Sequence, residues 1–150
     1  MNAITTASFN SESVYVSLVP ATYINHVWDE VKAFLEPAVS VTNGRYTTYD
    51  VYNGCQLGHY QLWIAFGNDD KIIGTEVTSI SNYPSKRVLT SLFTGGIRIR
   101  TWRDKMMEII TRFARDNDCE CIEGFGRSGW IKLLEPYGVR QVTVMFEKDI

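Results

Sequence analysis

The spacing of apolar positions changes period along the chain, and each change marks an element. Ile24, Val27, Trp28, Val31, Phe34 and Leu35 recur at steps of three and four, which predicts an amphipathic helix. Pro37 is expected to stop it. Ahead of it, residues 14–19 alternate apolar and polar and end at Pro20, the pattern of a first strand. Thr47-Thr48-Tyr49-Asp50 has capping-box spacing and opens a short second helix that ends near Gly54.

The period then drops to two. Residues 61–66 place Leu62, Ile64 and Phe66 on one face of a strand. Gly67-Asn68-Asp69-Asp70 is a tight turn, residues 71–81 a longer strand, Asn82-Tyr83-Pro84-Ser85 another turn, and residues 87–94 a further strand. Residues 60–94 therefore read as an antiparallel meander. Gly95-Gly96 is expected to break it. Trp102, Met106, Ile109, Ile110 and Phe113 then line one face of a long helix ending near Asn117. Residues 119–123 form a short strand, parallel to the meander's last strand because a helix lies between them. Trp130, Ile131 and Leu134 fall on a short helix stopped by Pro136 and Gly138, and residues 141–147 alternate as a closing strand.

The predicted order is β-α-α-β-β-β-α-β-α-β, one α/β domain over residues 1–150 with a mixed sheet, without repeat or linker. A chain of 150 residues buries about 69% of its unfolded surface, enough for a core without staples. Nineteen aromatic residues (7 Phe, 4 Trp, 8 Tyr) exclude a disordered chain. The longest apolar runs, such as residues 62–66, are about a quarter of a bilayer span. Residues 1–13 are polar, with no basic-then-apolar leader pattern, so no signal peptide is expected.

A net charge of −2 argues against a nucleic-acid binder. The charge is uneven, however. Lys86, Arg87, Arg98, Arg100, Arg103 and Lys105 fall in one window with a single acid, Asp104. That window reads either as an anion-attracting segment or as a solvated face. Cations at the start of a helix oppose its dipole by about 0.3–1 kcal/mol each, which an anion between them would relieve.

Three cysteines, Cys55, Cys119 and Cys121, make an odd count and suggest free thiols in a reducing compartment. The two histidines, His26 and His59, lie at no ligand spacing from them, so no metal site is expected. Neither histidine has a nucleophile to pair with. Trp63, Trp102 and Trp130 read as core, while Tyr46, Tyr49, Tyr52 and Tyr60 cluster around the second helix. Residues 124–129 match Gly-x-Gly-x-x-Gly, but no βαβ unit with an acidic terminator follows, so this is no dinucleotide fingerprint. Arg127 within it reads either as a recognition residue at a strand's end or as a turn arginine bonded to backbone carbonyls.

The element order and the segment from Cys119 to Gly138 resemble the GNAT (Gcn5-related N-acetyltransferase) fold across essentially the whole chain. Gly-Arg-Ser-Gly-Trp at residues 126–130, Gly95-Gly96, and Leu35-Glu36-Pro37-Ala38 are similar to GNAT-like proteins of tailed bacteriophages and prophages. The resemblance implies acetyl-CoA held in the cleft between the fourth and fifth strands. Its pantetheine arm would bond to Leu92 and Thr94. Its pyrophosphate would meet Gly95, Gly96 and Ile97 at the helix N-terminus, with Arg98 and Arg100 helping. An amine acceptor would attack the thioester, with Glu76 as the base.

Three departures from the family pattern stand beside this. Phe93 to Arg100 carries two glycines but not the full Arg/Gln-x-x-Gly-x-Gly/Ala spacing. Counting back from Gly138, Leu134 stands where many members carry the tyrosine that protonates the leaving thiolate, and leucine has no proton to give. Tyr137 lies three positions on, around the helix. The fourth strand has no acid, and Glu76 belongs to the third. Two functions are therefore expected as alternatives. One is an acetyl-CoA-dependent N-acyltransferase. The other is a non-catalytic GNAT-fold protein in phage virion morphogenesis, with phage structural proteins as partners, placed in the host cytoplasm or packaged in the virion.

Overall fold

Alternation along the strands sends two apolar sets to opposite faces of one sheet, and each set meets a different group of helices. The computed structural model describes residues 13–150. The elements run β1 (Tyr15–Val19), α1 (Ile24–Ser40), α2 (Thr48–Gln56), β2 (Gln61–Phe66), β3 (Ile72–Tyr83), β4 (Lys86–Gly96), α3 (Ile99–Asp116), β5 (Cys121–Gly124) and α4 (Gly129–Leu134). Short 3-10 turns occupy Ala21–Tyr23 and Glu135–Tyr137. The sheet order is β1-β2-β3-β4-β5, antiparallel except for the parallel β4–β5 pair that the intervening helix requires.

On one face, Leu62, Val77 and Phe93 of the sheet pack with Ile24, Val31, Leu35 and Val39 of α1 and Val51 and Cys55 of α2. On the other, Trp63, Ala65, Ile73 and Leu89 pack with Trp102, Met106, Ile110 and Ala114 of α3. The stripes seen in the sequence are these two cores. The capping box also forms: Thr47 Oγ1 accepts from the Asp50 N–H at 3.2 Å while Asp50 Oδ2 accepts from the Thr47 N–H at 2.7 Å.

Four local expectations are corrected. Pro37 does not stop α1; the helix carries it and continues to Ser40. Proline costs a helix interior about 3 kcal/mol, and the extra turn buries Val39 in the core, which offsets that cost. Gly95 and Gly96 do not break the meander, because β4 runs through both. Residues 141–147 form no strand: they pair with no strand of the sheet and are exposed. Trp130 is half-buried rather than core, and α4 has no buried residue.

Candidate functional site

The site follows from an irregularity in β4. Val77 of β3 faces Phe93, and Thr78 faces Ser91, so Leu92 has no partner on β3 and is a bulge. On the other side β4 pairs with β5 only over Val88, Leu89, Thr90 and Ser91, ending at the Ser91–Gly124 pair. Residues 92–96 have no partner on β5. The two parallel strands thus splay from Ser91 onward and leave one edge of β4 open. α3 starts just beyond the open stretch, so its first-turn amides sit at the mouth of the splay.

Local bonds hold that mouth in shape. The Ile97 N–H donates to Ile73 O at 2.8 Å, and Trp102 Nε1 donates to Ile97 O at 2.9 Å. Arg98 is the residue before α3, in the left-handed region at φ 50°, and its carbonyl accepts from Thr101 N (2.9 Å) and Oγ1 (2.7 Å). A β-carbon on Gly95 would lie 2.0 Å from the Phe34 carbonyl oxygen of α1. One on Gly96, at φ +140°, would lie 2.4 Å from Ile73 O. Both glycines therefore answer to close backbone packing within the chain. Since the Ile97 amide is already engaged, the amides left toward the mouth are those of Ile99 and Arg100.

Two carboxylates flank the base of the splay. Glu76 pairs with Thr94 in register and is buried, and its Oε1 accepts a 2.7 Å hydrogen bond from Ser91 Oγ. Burial pushes its pKa up to about 7, and the Ser91 bond opposes that rise only in part. Glu123 of β5 pairs with Thr90; its Oε1 accepts from Tyr83 OH at 2.7 Å and from Thr90 Oγ1 at 3.4 Å. Adjacent residues of a strand point to opposite faces, so Ser91 with Glu76 lies on one face and Thr90 with Glu123 on the other. The sequence reading missed Glu123. Its signal was an acid beside a glycine in the fifth strand, but its neighbourhood with Tyr83 depends on pairing across 40 residues.

The basic window divides. Arg98, Arg100 and Arg103 lie at the start of α3, whereas Lys86 and Arg87 lie at the opposite end of β4, about 33 Å away along an extended strand. Arg87 is occupied there, donating to Asn117 O at 2.7 Å and Asn82 Oδ1 at 2.9 Å. A groove of about 280 Å³ opens between α3 and α4, lined by Ile99, Arg127, Gly129, Trp130 and Leu133, so Arg127 faces the α3 N-terminus. The Tyr137 hydroxyl is engaged by α3, donating to Asp104 Oδ1. Burial raises its pKa first, and the bond to Asp104 adds to that.

Tyr46 packs edge-on against Phe93, and Tyr49 and Tyr52 line a second groove of about 340 Å³ between α1 and α2. His26 stacks on Tyr23 at 4.2 Å. The three cysteines are free thiols, and burial pushes that of Cys55 up to about 12. Among the described residues no group of three potential metal ligands comes together, and no helix is long and apolar enough to cross a membrane.

No protein-family model matches the chain, and no curated protein matches it in sequence. Solved structures match it in shape. An aminoglycoside N-acetyltransferase in complex with CoA superposes with a TM-score of 0.67 at 14% identity, over 92% of this chain and 95% of that one. An aminoglycoside acetyltransferase from an uncultured soil metagenomic sample gives 0.70 at 12% identity, over 92% and 99%. A GNAT family acetyltransferase from Staphylococcus aureus gives 0.64 at 14% identity, over 92% and 99%. The chain has the GNAT acetyltransferase fold.

Proposed function

We propose that this protein is an acetyl-CoA-dependent N-acyltransferase. The observation that carries the reading is the splay itself: a bulge at Leu92, an open β4 edge over residues 92–96, and the start of α3 at its mouth. This is a backbone groove ending on an anion-favouring helix terminus. Leu92 and Thr94 would offer backbone groups to an extended amide-bearing arm. Gly95, Gly96 and Ile97 would form the floor near a pyrophosphate, and the first-turn amides with Arg98 and Arg100 would supply its counter-charge. When bound, acetyl-CoA supplies an acetyl group activated as a thioester.

Glu76 would act as the base. A carboxyl titrating near 7 is half ionised at neutral pH and is matched to taking a proton from an ammonium or attacking amine. Ser91 would relay it, passing its own proton to Glu76 as its oxygen receives one from the amine. The carbon–nitrogen bond forms and the carbon–sulfur bond breaks. Leu134 and the Asp104-bound Tyr137 give no proton to the sulfur, so the thiol would leave as thiolate.

A second reading is favoured by the engaged Ile97 amide and the Tyr137–Asp104 bond, which take two groups out of the chemistry. In it the fold is a non-catalytic scaffold in phage virion assembly, as the resemblance at residues 126–130 suggests. Titration calorimetry with acetyl-CoA separates the two. Binding at or below millimolar ligand, followed by acetylation in an amine panel, supports the enzyme. No heat at millimolar ligand removes it and leaves the scaffold.

A further inference from the structure

The buried stripe of α1 is Ile24, Val31, Leu35 and Val39, and that of α2 is Val51, Gly54 and Cys55. The groove of about 340 Å³ between the two helices is lined by other positions. From α1 come Asn25, Trp28, Asp29 and Lys32, which recur at steps of three and four and so share one face. From α2 come Thr48, Tyr49 and Tyr52, little more than one turn. No residue of β4 or β5 lines it, so it is separate from the splay. Its volume lies at the lower end of the range for small-molecule sites. The floor is fixed before any ligand arrives. Gln56 Nε2 donates at 3.0 Å to Asn25 Oδ1 and at 3.0 Å to Tyr52 OH, and the Tyr52 hydroxyl donates to the same Asn25 oxygen. These bonds hold the Tyr52 ring and commit the Asn25 oxygen, which leaves the Asn25 amide N–H groups as donors. The Trp28 ring lies 5.1 Å from that of Tyr52 at 57°, and the Tyr49 ring 6.4 Å from it at 33°.

The polar groups of the groove are uncommitted. Among the described residues, the side chains of Asp29, Lys32 and Thr48 have no hydrogen-bond or ion-pair partner. One carboxylate and one ammonium cancel, so an anion would face Asp29 and a cation would face Lys32. Hydroxyl groups suit both, because each can donate to the carboxylate or accept from the ammonium and the Asn25 amide. The three rings are tilted against one another, so they give no parallel walls for a flat heteroaromatic ring. They give an angled apolar floor, which fits the C–H face of a puckered ring. We propose that this groove binds a neutral hexose saccharide. Its C–H face rests on Tyr49 and Tyr52, and its hydroxyls are shared among Asp29, Lys32, Asn25 and Thr48.

Nitrogen-15 NMR titration of the full chain with maltose, cellobiose and lactose at millimolar concentration tests this. At least one sugar should move the Trp28 indole N–H and the amides of residues 48–52 in a saturable way. Tyr49→Ala removes part of the floor and Asp29→Asn removes the carboxylate, and each should weaken that binding tenfold or more. Both residues are exposed, Tyr49 at 66%, so the denaturation midpoint of each variant should match wild type and folding is not confounded. No saturable shift with any of the three sugars overturns the proposal. So does a response of the same residues to tetramethylammonium in place of the sugars, which would make the rings a cage for a cation. A sugar response that survives both variants also overturns it, since the sugar would then bind elsewhere. The titration contains no acetyl-CoA, so its outcome is independent of whether the protein transfers an acyl group.

Discussion

Ser91 Oγ donates a 2.7 Å hydrogen bond to Glu76 Oε1, tying β4 to a buried carboxyl of β3 at the last residue before β4 leaves β5. The bond couples the charge of an interior acid to the geometry of the cleft. It favours the carboxylate against burial, which is the larger influence and holds the pKa near 7.

Stability should therefore fall as pH rises through this range. The folded state keeps a proton on Glu76 up to about pH 7, whereas the unfolded chain releases it near the ordinary value of 4.5. Between those values the native state binds more protons, so its stability declines with pH and levels off above 7. Glu76→Gln, which can still accept from Ser91, should remove the decline. It should stabilise the protein at pH 8 by on the order of 2–3 kcal/mol relative to wild type and make little difference at pH 4. Urea denaturation at the two pH values measures this. Equal effects at both would show that Glu76 is ionised in the fold at low pH.

Ser91→Ala takes away the bond that favours the carboxylate and leaves the burial. The pKa of Glu76 should then move further up, above 7. If Glu76 is the base, the rising limb of the pH–rate profile should move to higher pH with it, and activity at pH 7 should drop. Carbon-detected NMR titration of the Glu76 carboxyl reads the shift without relying on activity. A downward shift would show that the Ser91 bond favours the protonated acid and not the carboxylate.

Gly95→Ala should damage the fold before it touches any ligand. The new β-carbon would sit 2.0 Å from the Phe34 carbonyl oxygen, a backbone atom of α1 that moves only with its helix. A loss on the order of 3 kcal/mol or more is expected, seen as a lower denaturation midpoint. Unchanged stability would mean that α1 does not seat against β4 in this way.

Arg100→Ala should weaken acetyl-CoA binding only partly and leave stability unchanged. The residue is exposed at the first turn of α3, where solvent screens its charge. The dependence of affinity on salt should flatten in the variant, because the Debye length shortens from about 10 Å at 0.1 M to about 3 Å at 1 M. Calorimetry at the two ionic strengths tests this. A variant that keeps the wild-type salt slope would place the phosphates elsewhere.

The chain dictated by itself everything that depends on neighbours in sequence. The helical stripe of Ile24, Val31 and Leu35, the alternation of Leu62 and Ile64, the Thr47–Asp50 cap and the parallel β4–β5 pair are consequences of period, capping chemistry and the helix between two strands. The acid among apolar neighbours on the third strand was also legible. What the tertiary structure alone decided involves partners far away in the chain. Pro37 stays inside α1 because Val39 has a core to enter. Gly95 is required by a carbonyl 61 residues earlier, not by a turn. Glu76 owes its pKa to burial and to Ser91 on the next strand, and Glu123 meets Tyr83 only through the sheet. Residues 141–147 carry a strand's alternation without pairing. A periodic pattern states that a face should be buried, whereas the surface that buries it is supplied by the packing of distant segments.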